Sequence, residues 1–500
     1  MKKIKYLIPA LALAFFSCDN YLDINENPNA ATASQVTPNL TLSAVQTASY
    51  SPLVRRMNEI GNVFMNNWGP NVNSFTGGYA EEFGITMSAN FYEDIWNSVY
   101  RNTGEYSNII NFNSSDYDHH KAIAKIMKSF YFQYLVDLYG DIPYFGAHQG
   151  TANPFPTYDD DQAIYRDLIV QLDEAIAMID NAPSTTVAVG AEDVMLGGDM
   201  ITWKRFANTL KLRILLREAT LAETDAASAT YLNDQFALLD NDFIVQDVTI
   251  NPGYSNAKDS QQNPWINLMW ELNLDTNGNR VLRNTYRFRR ASKFIADQLN
   301  ALPPDPRKNR LFATSPATTG PVVGVEQGSA TASTDISAFG PGLMVEHSQD
   351  GYVMLAAESY LLQAEAVERG YIAGNAQALF DMAIQASCDM LGVSSGDAAT
   401  YIASVNGQDG KGYAASTNKI QAIMYQKSIA LNSINGAEIW IEYTRTGFIN
   451  NIPMPLGATS PTGQKPMRLM YPTSELASNS ANVPSQSAND SFTTAPFWKN

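Results

Sequence analysis

The sequence predicts an all-α protein with about four tetratricopeptide-like helix pairs, long irregular loops and minor short strands. Apolar residues recur at helical spacing in several segments, and short turns separate the members of each pair. Alanines occur where paired helices would cross, as in repeats of about 34 residues. The segments between the pairs are rich in Asn, Gly, Pro, Ser and Thr and lack this spacing.

The first half of the chain contains three predicted helices. An apolar helix over 122–139 ends before Gly140, which favours a helix terminus. The next helix begins at Asp159, which forms a predicted capping box with Gln162. A third begins at Thr202. The inward faces of the last two contain Ile164, Tyr165, Leu168, Leu172, Ala175, Ile176 and Ile179, and then Trp203, Ala207, Leu210 and Ile214.

The second half contains two further helix pairs. Residues 352–369 place an apolar stripe inward, so Glu358 and Glu365 are predicted to face solvent. A second helix over 375–391 completes this pair. The last pair lies within 418–443.

Four insertions interrupt these pairs, and two short apolar runs within them, at 243–245 and 322–325, are predicted strands. Long loops in a helical domain are commonly functional, and the aromatic residues in these loops argue against disorder. The insertions cover 66–90, 141–158, 243–289 and 303–350.

Composition and motifs exclude several classes of function. The 33 Lys and Arg residues against 50 Asp and Glu give a net charge of -17, which would be repelled by nucleic-acid phosphates. The motifs HExxH, CxxC and GxSxG and the P-loop are all missing, and only four histidines occur. Asp275, Asn277 and Asn279 resemble the start of a calcium loop, but Arg280 replaces its glycine, so we interpret them as a polar turn. We therefore predict no catalytic residue, no cofactor and no metal site.

The N-terminus resembles a bacterial lipoprotein signal. A basic start precedes an apolar run over 6–16 that is too short to cross a membrane, and Cys18 follows Ser17. We predict a signal peptide over 1–17, a lipid anchor on Cys18 and a tether over 18–34. The alternative is an ordinary secretory signal with an incidental cysteine. The second cysteine, Cys388, lies on a helical pattern and is predicted to be a small buried residue.

The candidate ligand-binding residues are loop aromatics flanked by amides. Aromatic rings offer stacking area to the apolar faces of sugars, and amides bond their hydroxyls. Trp96, Trp203 and Trp440 lie at core spacing on helices and are assigned to the interior. The candidates form two clusters, Asn67, Trp68, Asn73, Phe75 and Tyr79, and Tyr254, Asn256, Asn263, Trp265 and Trp270.

Seven segments in order along the chain resemble the SusD/RagB family of outer-membrane nutrient-binding lipoproteins, in its SusD-like branch. The helix TWKRFANTLKLRILLR at 202–217 and the segment LLQAEAVERG within 357–370 are the most specific, and both are interpreted as packing motifs. The others are DNYLDINENPN at 19–29, YGDIPY at 139–144, PDPR at 304–307, EIWIEYTRTG at 438–447 and PMRLMYPTSELASNSAN at 466–482.

The resemblance implies one SusD-like helical domain over 35–500 with four tetratricopeptide-like pairs. It also implies a lipid-anchored protein at the cell surface that is not an enzyme. Such a protein captures a nutrient, in many relatives an oligosaccharide, and passes it to a SusC-type TonB-dependent transporter that it covers as a lid. Three alternatives stay open, namely a peptide ligand, an envelope scaffold that binds only proteins, and a glycoside hydrolase that would need a suitably spaced carboxylate pair.

Overall fold

The computed structural model describes residues 36–70, 79–278, 280–314, 320–329 and 335–499. The predicted signal peptide and tether, the anchor Cys18 and the candidates Asn73 and Phe75 lie outside the described residues.

Helices dominate the described residues, which confirms the predicted all-α class, and the strands are short. A five-residue π-helical segment, Leu53–Met57, joins the first two helices. The helices are α1 Pro38–Pro52, α2 Asn58–Phe64, α3 Ala80–Gly84, α4 Glu93–Ile110, α5 Asp118–Tyr139, α6 Asp161–Asp180, α7 Met200–Arg217, α8 Ala226–Leu238, α9 Pro264–Met269, α10 Lys293–Asn300, α11 Lys308–Leu311, α12 Ala356–Glu368, α13 Ala376–Leu391, α14 Ser395–Val405, α15 Lys419–Ala430, α16 Gly436–Thr446, α17 Thr473–Ser478 and α18 Asp490–Thr493. The strands are β1 Trp68–Gly69, β2 Val248–Ile250, β3 Trp270–Leu274, β4 Arg280–Leu282, β5 Arg290–Ala291 and β6 Gly351–Met354.

Four helix pairs follow one another along the chain, as predicted. They are α4 with α5, α6 with α7, α12 with α13, and α15 with α16, and the members of each pair are in contact. The pairs also pack on one another, because α5 contacts α6, α7 contacts α12, and α12 contacts α15. The repeats therefore form one continuous frame, as neighbouring repeats do in helical solenoids.

Several helix starts differ from the prediction, and the caps explain two of them. Helix α6 is capped by Asp160, whose carboxylate accepts a hydrogen bond from the N–H of Ala163, and not by Asp159. Asp159 instead accepts hydrogen bonds from the N–H groups of Tyr144 and Phe145 at 2.8 Å each. Helix α7 begins two residues before the predicted start at Thr202, because the preceding aspartate is the N-cap.

The strands pair as three two-stranded antiparallel sheets, β1 with β5, β2 with β6 and β3 with β4. The run 243–245 is not a strand, and pairing occurs a few residues later, in β2. Its partner β6 occupies 351–354, where the apolar pattern predicted the start of a helix. In the run 322–325, only Val325 pairs, through one isolated bridge to Ser292.

Helices α2 and α16 cross closely because each presents a glycine to the other. A Cβ placed on Gly61 would lie 1.9 Å from the carbonyl oxygen of Gly436. A Cβ on Gly436 would lie 2.3 Å from the carbonyl oxygen of Asn58. Any larger residue at either position would push the two backbones apart. This contact joins α16, of the fourth helix pair, to α2, which precedes the first pair.

The helix tryptophans predicted to be structural are buried. Trp96, Trp203 and Trp440 are each at most 3% exposed. The indole N–H of Trp203 donates to Asp193, and that of Trp440 donates to the carbonyl of Pro466. Their burial is therefore compatible with their polar N–H groups, and the prediction is confirmed. Cys388 is also buried and free, as predicted.

A cluster of buried ion pairs joins five of the helices that form the pairs, α5, α7, α12, α15 and α16. Glu358 and Glu365 of α12 are fully buried, so the prediction that they face solvent is wrong. Both carboxylates pair with arginines, Glu358 with Arg213 and Glu365 with Arg445. Buried charges are tolerated when they are paired in this way. The other members of the cluster are Asp137, Arg217, Lys427, Glu438 and Glu442.

Glu442 is the most highly connected carboxylate of this cluster. It accepts hydrogen bonds from Arg217, from Lys427 at 3.2 Å and from Arg445 at 2.9 Å. Burial opposes its ionised form, but the charges of Arg445, Lys427 and Arg217 outweigh burial and hold its pKa well below the ordinary value. At Asp137 the balance is reversed, and burial raises its pKa to about 6 despite the nearby Arg217. The motif segments 202–217 and 438–447 thus carry an electrostatic network inside the frame.

Candidate functional site

The two predicted aromatic clusters meet, but they meet inside the protein. The ring of Trp68 lies 6.0 Å from that of Trp265, and both contact Phe339, at 5.4 and 5.1 Å. Trp68 is 0% exposed and Trp265 is 4% exposed. Their indole N–H groups donate to the hydroxyl of Ser433 and to the carbonyl of Leu343. The expectation that these two rings offer exposed stacking faces is therefore wrong, because the rings close the core beneath the loops.

Two further candidates of the aromatic clusters, Tyr79 and Tyr254, are also mostly buried, at 8% exposure each. The hydroxyl of Tyr79 donates to Glu59 at 2.8 Å, whereas the hydroxyl of Tyr254 is buried without a hydrogen-bond partner among the described residues. Neither ring presents a face to solvent.

The buried amides of the two clusters hold the backbone in place. Asn67 donates to the side chain of Asn62 at 3.0 Å. Asn263 caps α9 by accepting the N–H of Trp265 at 2.8 Å, and it also donates to the carbonyl of Gln349. Both side chains are therefore engaged within the protein, and neither is directed at a surface.

Of the predicted site residues that the structure describes, Trp270 and Asn256 reach the surface. Trp270 is partly exposed at the start of β3, and Asn256 is exposed. Helix α9 explains the different positions of Trp265 and Trp270. Its buried face holds Trp265 and Met269, and the chain then turns into β3, which directs Trp270 outward. The side chain of Asn256 projects from the loop 255–261, which is closed by a hydrogen bond between its two ends.

Charged and polar groups surround the ring of Trp270. The guanidinium of Arg280 lies over it, 5.0 Å from its centroid, and His347 meets its edge at 5.7 Å. Arg283 donates to the carbonyl of Trp270 at 3.0 Å and pairs with Asp259 at 2.5 Å. Burial, and then the charge of Arg280, lower the pKa of His347, so this ring is neutral at physiological pH.

A second arginine extends this surface toward α9. Arg55, from the π-helical segment, donates to the side chain of Asn267 at 2.7 Å. Asn267 in turn donates to the backbone carbonyl of Asp259 at 3.0 Å. Arg55, Asp259, Asn267, Trp270, Arg280 and Arg283 are connected by these contacts, and together with the exposed Asn256 of the loop 255–261 we call them the Trp270 surface. It combines a ring face with amides, a carboxylate and guanidinium groups, which is the chemistry that hydroxylated ligands require.

Sequence reasoning found part of this surface. Arg280 and Arg283 lie in the same predicted insertion as Trp270, 243–289, so the sequence already places them close to it along the chain. Arg55 lies about 200 residues earlier in a helical segment, and no local pattern connects it to α9. The Asp275–Asn277 segment forms the turn between β3 and β4, with the Asp275 carboxylate accepting the N–H of Asn277, as its interpretation as a polar turn predicted.

One group of carboxylates in the described residues has the spacing of a cation site. One oxygen each from Asp141, Asp160 and Asp161 lies within 4.8 Å of the others. Backbone N–H groups already occupy these carboxylates, since Asp141 accepts from the N–H of Asp161, and Asp161 accepts from that of Phe497. Arg468 lines the same cavity. The group is accounted for as the capped start of α6.

The chain matches a family model, and this match covers most of its length. The SusD-like model described as "Starch-binding associating with outer membrane" matches residues 28–472. No match was found among curated proteins. None of the helices in the described part of the chain combines the length and apolar character that a membrane span requires.

Solved structures with the same fold are numerous. A chitin-binding protein is 24% identical, with a TM-score of 0.71, covering 93% of this chain and 98% of its own. A chitin-binding SusD homolog from Flavobacterium johnsoniae is 23% identical, with a TM-score of 0.71 and coverage of 92% and 98%. A SusD/RagB family protein from Bacteroides thetaiotaomicron is 20% identical, with a TM-score of 0.72 and coverage of 93% and 99%. On the family match across 28–472, and on the helix pairs that these structures share, the chain belongs to the SusD-like family.

Proposed function

We propose that this protein is a lipid-anchored, outer-membrane nutrient-binding protein that captures an oligosaccharide on the Trp270 surface. In this proposal it passes the ligand to a SusC-type TonB-dependent transporter. The observation that carries the ligand part is the partly exposed ring of Trp270, which lies in the hairpin of β3 and β4 and is flanked by Arg280 at 5.0 Å. The description of the family model as starch-binding and outer-membrane-associated supports both parts.

The rest of the molecule supports a binding role through rigidity. Trp68, Trp265 and Phe339 form a packed aromatic layer directly beneath α9 and the hairpin. A site on such a support loses little conformational freedom when it binds, so more of the contact energy is available for affinity. The loops thus supply the surface, and the helix pairs supply the frame.

The ring of Trp270 is expected to be a principal ligand contact. We expect Trp270→Ala to weaken oligosaccharide binding about tenfold or more, equivalent to ~1.4 kcal/mol or more, because stacking area is lost. The measurement is calorimetric titration with chitin and starch oligosaccharides, chosen because similar structures are described as chitin-binding and the family model as starch-binding.

Phe155→Ala is the matched control, since Phe155 is an aromatic residue that is 62% exposed, in the separate insertion 141–158. It should bind as the wild type does. Equal losses in both variants, or no loss in the Trp270 variant of a protein that binds, would place the ligand elsewhere.

The anchor is proposed on Cys18. We expect Cys18→Ser to release the protein from the membrane fraction, because the thiol that carries the lipid is removed. Fractionation of cells, with mass spectrometry of the purified N-terminus, measures this. A Cys388→Ser variant is the matched control and should stay in the membrane fraction, as Cys388 is buried in the domain. Retention of the Cys18 variant would support the ordinary secretory signal instead.

A peptide-binding protein and a protein scaffold are the two alternatives, and each predicts a different titration result. Titration with peptides tests the peptide-binding alternative, and binding of peptides without binding of any oligosaccharide would favour it. Failure of both classes to bind, together with co-purification of envelope proteins, would favour a protein scaffold. A gene for a SusC-type transporter beside this one would support the proposed partner.

A further inference from the structure

The arginines near the Trp270 surface outnumber their carboxylate partners. Three guanidinium groups lie close enough to influence one another, those of Arg55, Arg283 and Arg289. Arg283 pairs with Asp259, and Arg289 pairs with Glu59 at 2.6 Å. Two carboxylates therefore pair with two of these three cations.

The carboxylate of Glu59 is paired with residues other than Arg55. It accepts hydrogen bonds from Tyr79, Arg289 and Arg56. Asp259 is engaged in the same way by Arg283 and by Gln262. Within the described ranges, Arg55 takes part in no ion pair.

Arg55 itself is held by a neutral group. Its guanidinium donates to the amide oxygen of Asn267, and its Nε is buried without a hydrogen-bond partner in the described part of the chain. Burial, followed by the charges of Arg289 and Arg283, lowers the pKa of Arg55, in keeping with a guanidinium that has no ion pair among the described residues. A cation in this state carries a free-energy cost that an incoming anion would relieve.

We propose that Arg55 makes the Trp270 surface selective for an oligosaccharide that carries an anionic group, a carboxylate or a sulfate ester. The guanidinium plane suits both groups, because it can donate two parallel hydrogen bonds to a pair of oxygens. The partly exposed ring of Trp270 and the amide of Asn256 then contact the neutral part of the sugar. This inference rests on the proposed function, since it names the class of ligand for the same surface.

The net charge of the whole protein is opposite in sign to the local excess of arginines. At a net charge of -17, the protein as a whole repels anions. Attraction of an acidic glycan would therefore depend on short-range contacts in one place. Such contacts are weakened by salt, since the screening length falls from about 10 Å at 0.1 M to about 3 Å at 1 M.

The test is a titration of the full mature protein with matched oligosaccharides. A panel contains neutral oligosaccharides, their uronic-acid counterparts and their sulfated counterparts. We expect the wild type to bind one of the two acidic forms about tenfold more tightly than the neutral form. The two acidic arms separate a carboxylate from a sulfate ester. Raising the salt concentration from about 0.1 M to 1 M should remove most of this preference.

Arg55→Gln is expected to abolish the roughly tenfold preference for the acidic form over the neutral form. Arg55→Lys keeps the charge and should retain part of the preference. Arg101→Gln, at an exposed position on α4, removes the same charge elsewhere and should bind as the wild type does. Thermal unfolding of each variant checks that the fold is retained.

The outcomes separate this inference from the function on which it rests. Equal binding of neutral and acidic forms by the wild type would overturn the anionic ligand but leave oligosaccharide capture standing. An acidic preference that survives in Arg55→Gln would overturn the role of Arg55. Failure of every oligosaccharide in the panel would overturn the proposed function itself.

Discussion

Glu442→Gln is expected to lower the free energy of unfolding by about 3–5 kcal/mol, because it removes one partner from a buried, multiply paired charge cluster. Glu442 accepts hydrogen bonds from Arg217, Lys427 and Arg445, and it is 5% exposed. The glutamine side chain has nearly the same shape, so packing is preserved while the charge is lost. The three cations would then lose the charged partner that they share inside the protein.

The measurement is denaturant unfolding followed by circular dichroism. Asp297→Asn is the matched control, because Asp297 pairs with Lys293 at 2.6 Å on the surface, where both side chains are 60% exposed. Solvent screens such a pair, and its loss should cost less than about 1 kcal/mol. Similar small losses in both variants would show that the buried network contributes no more than a surface pair.

The stability of a double variant tests whether the buried charges depend on one another. Arg445 pairs with both Glu442 and Glu365. If these charges act as a unit, the combined Glu442→Gln and Arg445→Gln variant should lose less stability than the sum of the two single losses. Additive losses would indicate that the two residues act independently.

Trp68→Ala is expected to cost about 3–5 kcal/mol of stability, because it leaves a cavity in the aromatic layer. The ring is fully buried between Trp265 and Phe339, and its N–H donates to Ser433 at 2.8 Å. Trp270→Ala removes an identical side chain a short distance away. It should change stability much less, since Trp270 is partly exposed.

Denaturant unfolding and ligand titration of both variants check this contrast. The expected pattern is a loss of stability at position 68 and a loss of affinity at position 270. A Trp68→Ala protein that stayed as stable as the wild type but no longer bound ligand would identify Trp68 as a ligand contact. That result would mean that the loops open to admit it.

Helical periodicity was the most reliable source of structural prediction in this chain. The pairs at 161–217 and 356–391 follow from the spacing of apolar residues, because that spacing depends only on local geometry. The motif segments 202–217 and 357–370 were correctly interpreted as packing elements. The first residues of the helices were less predictable. At α6, Asp159 and Asp160 are equally good caps, and a contact with the Tyr144 loop decides between them.

Burial of charge was not predictable from a single helix. On α12 an amphipathic pattern places Glu358 and Glu365 on the polar side, and an isolated helix would expose them. In the folded protein this side faces α7 and α16, where Arg213 and Arg445 pair with them. The partners lie about 80 to 145 residues away along the chain, so no local pattern reveals them.

The amino-acid order alone was enough to predict the helix pairs, the helix tryptophans of the core and the family, because each depends on short segments whose residues lie close together in the chain. The tertiary structure decided which loop aromatics face inward. Trp265 and Trp270 stand in the same amide-rich segment, yet packing against Trp68 and Phe339 buries the first, and the turn into β3 exposes the second. Loops have no fixed periodicity, so the side of each residue is set by long-range contacts with the rest of the fold.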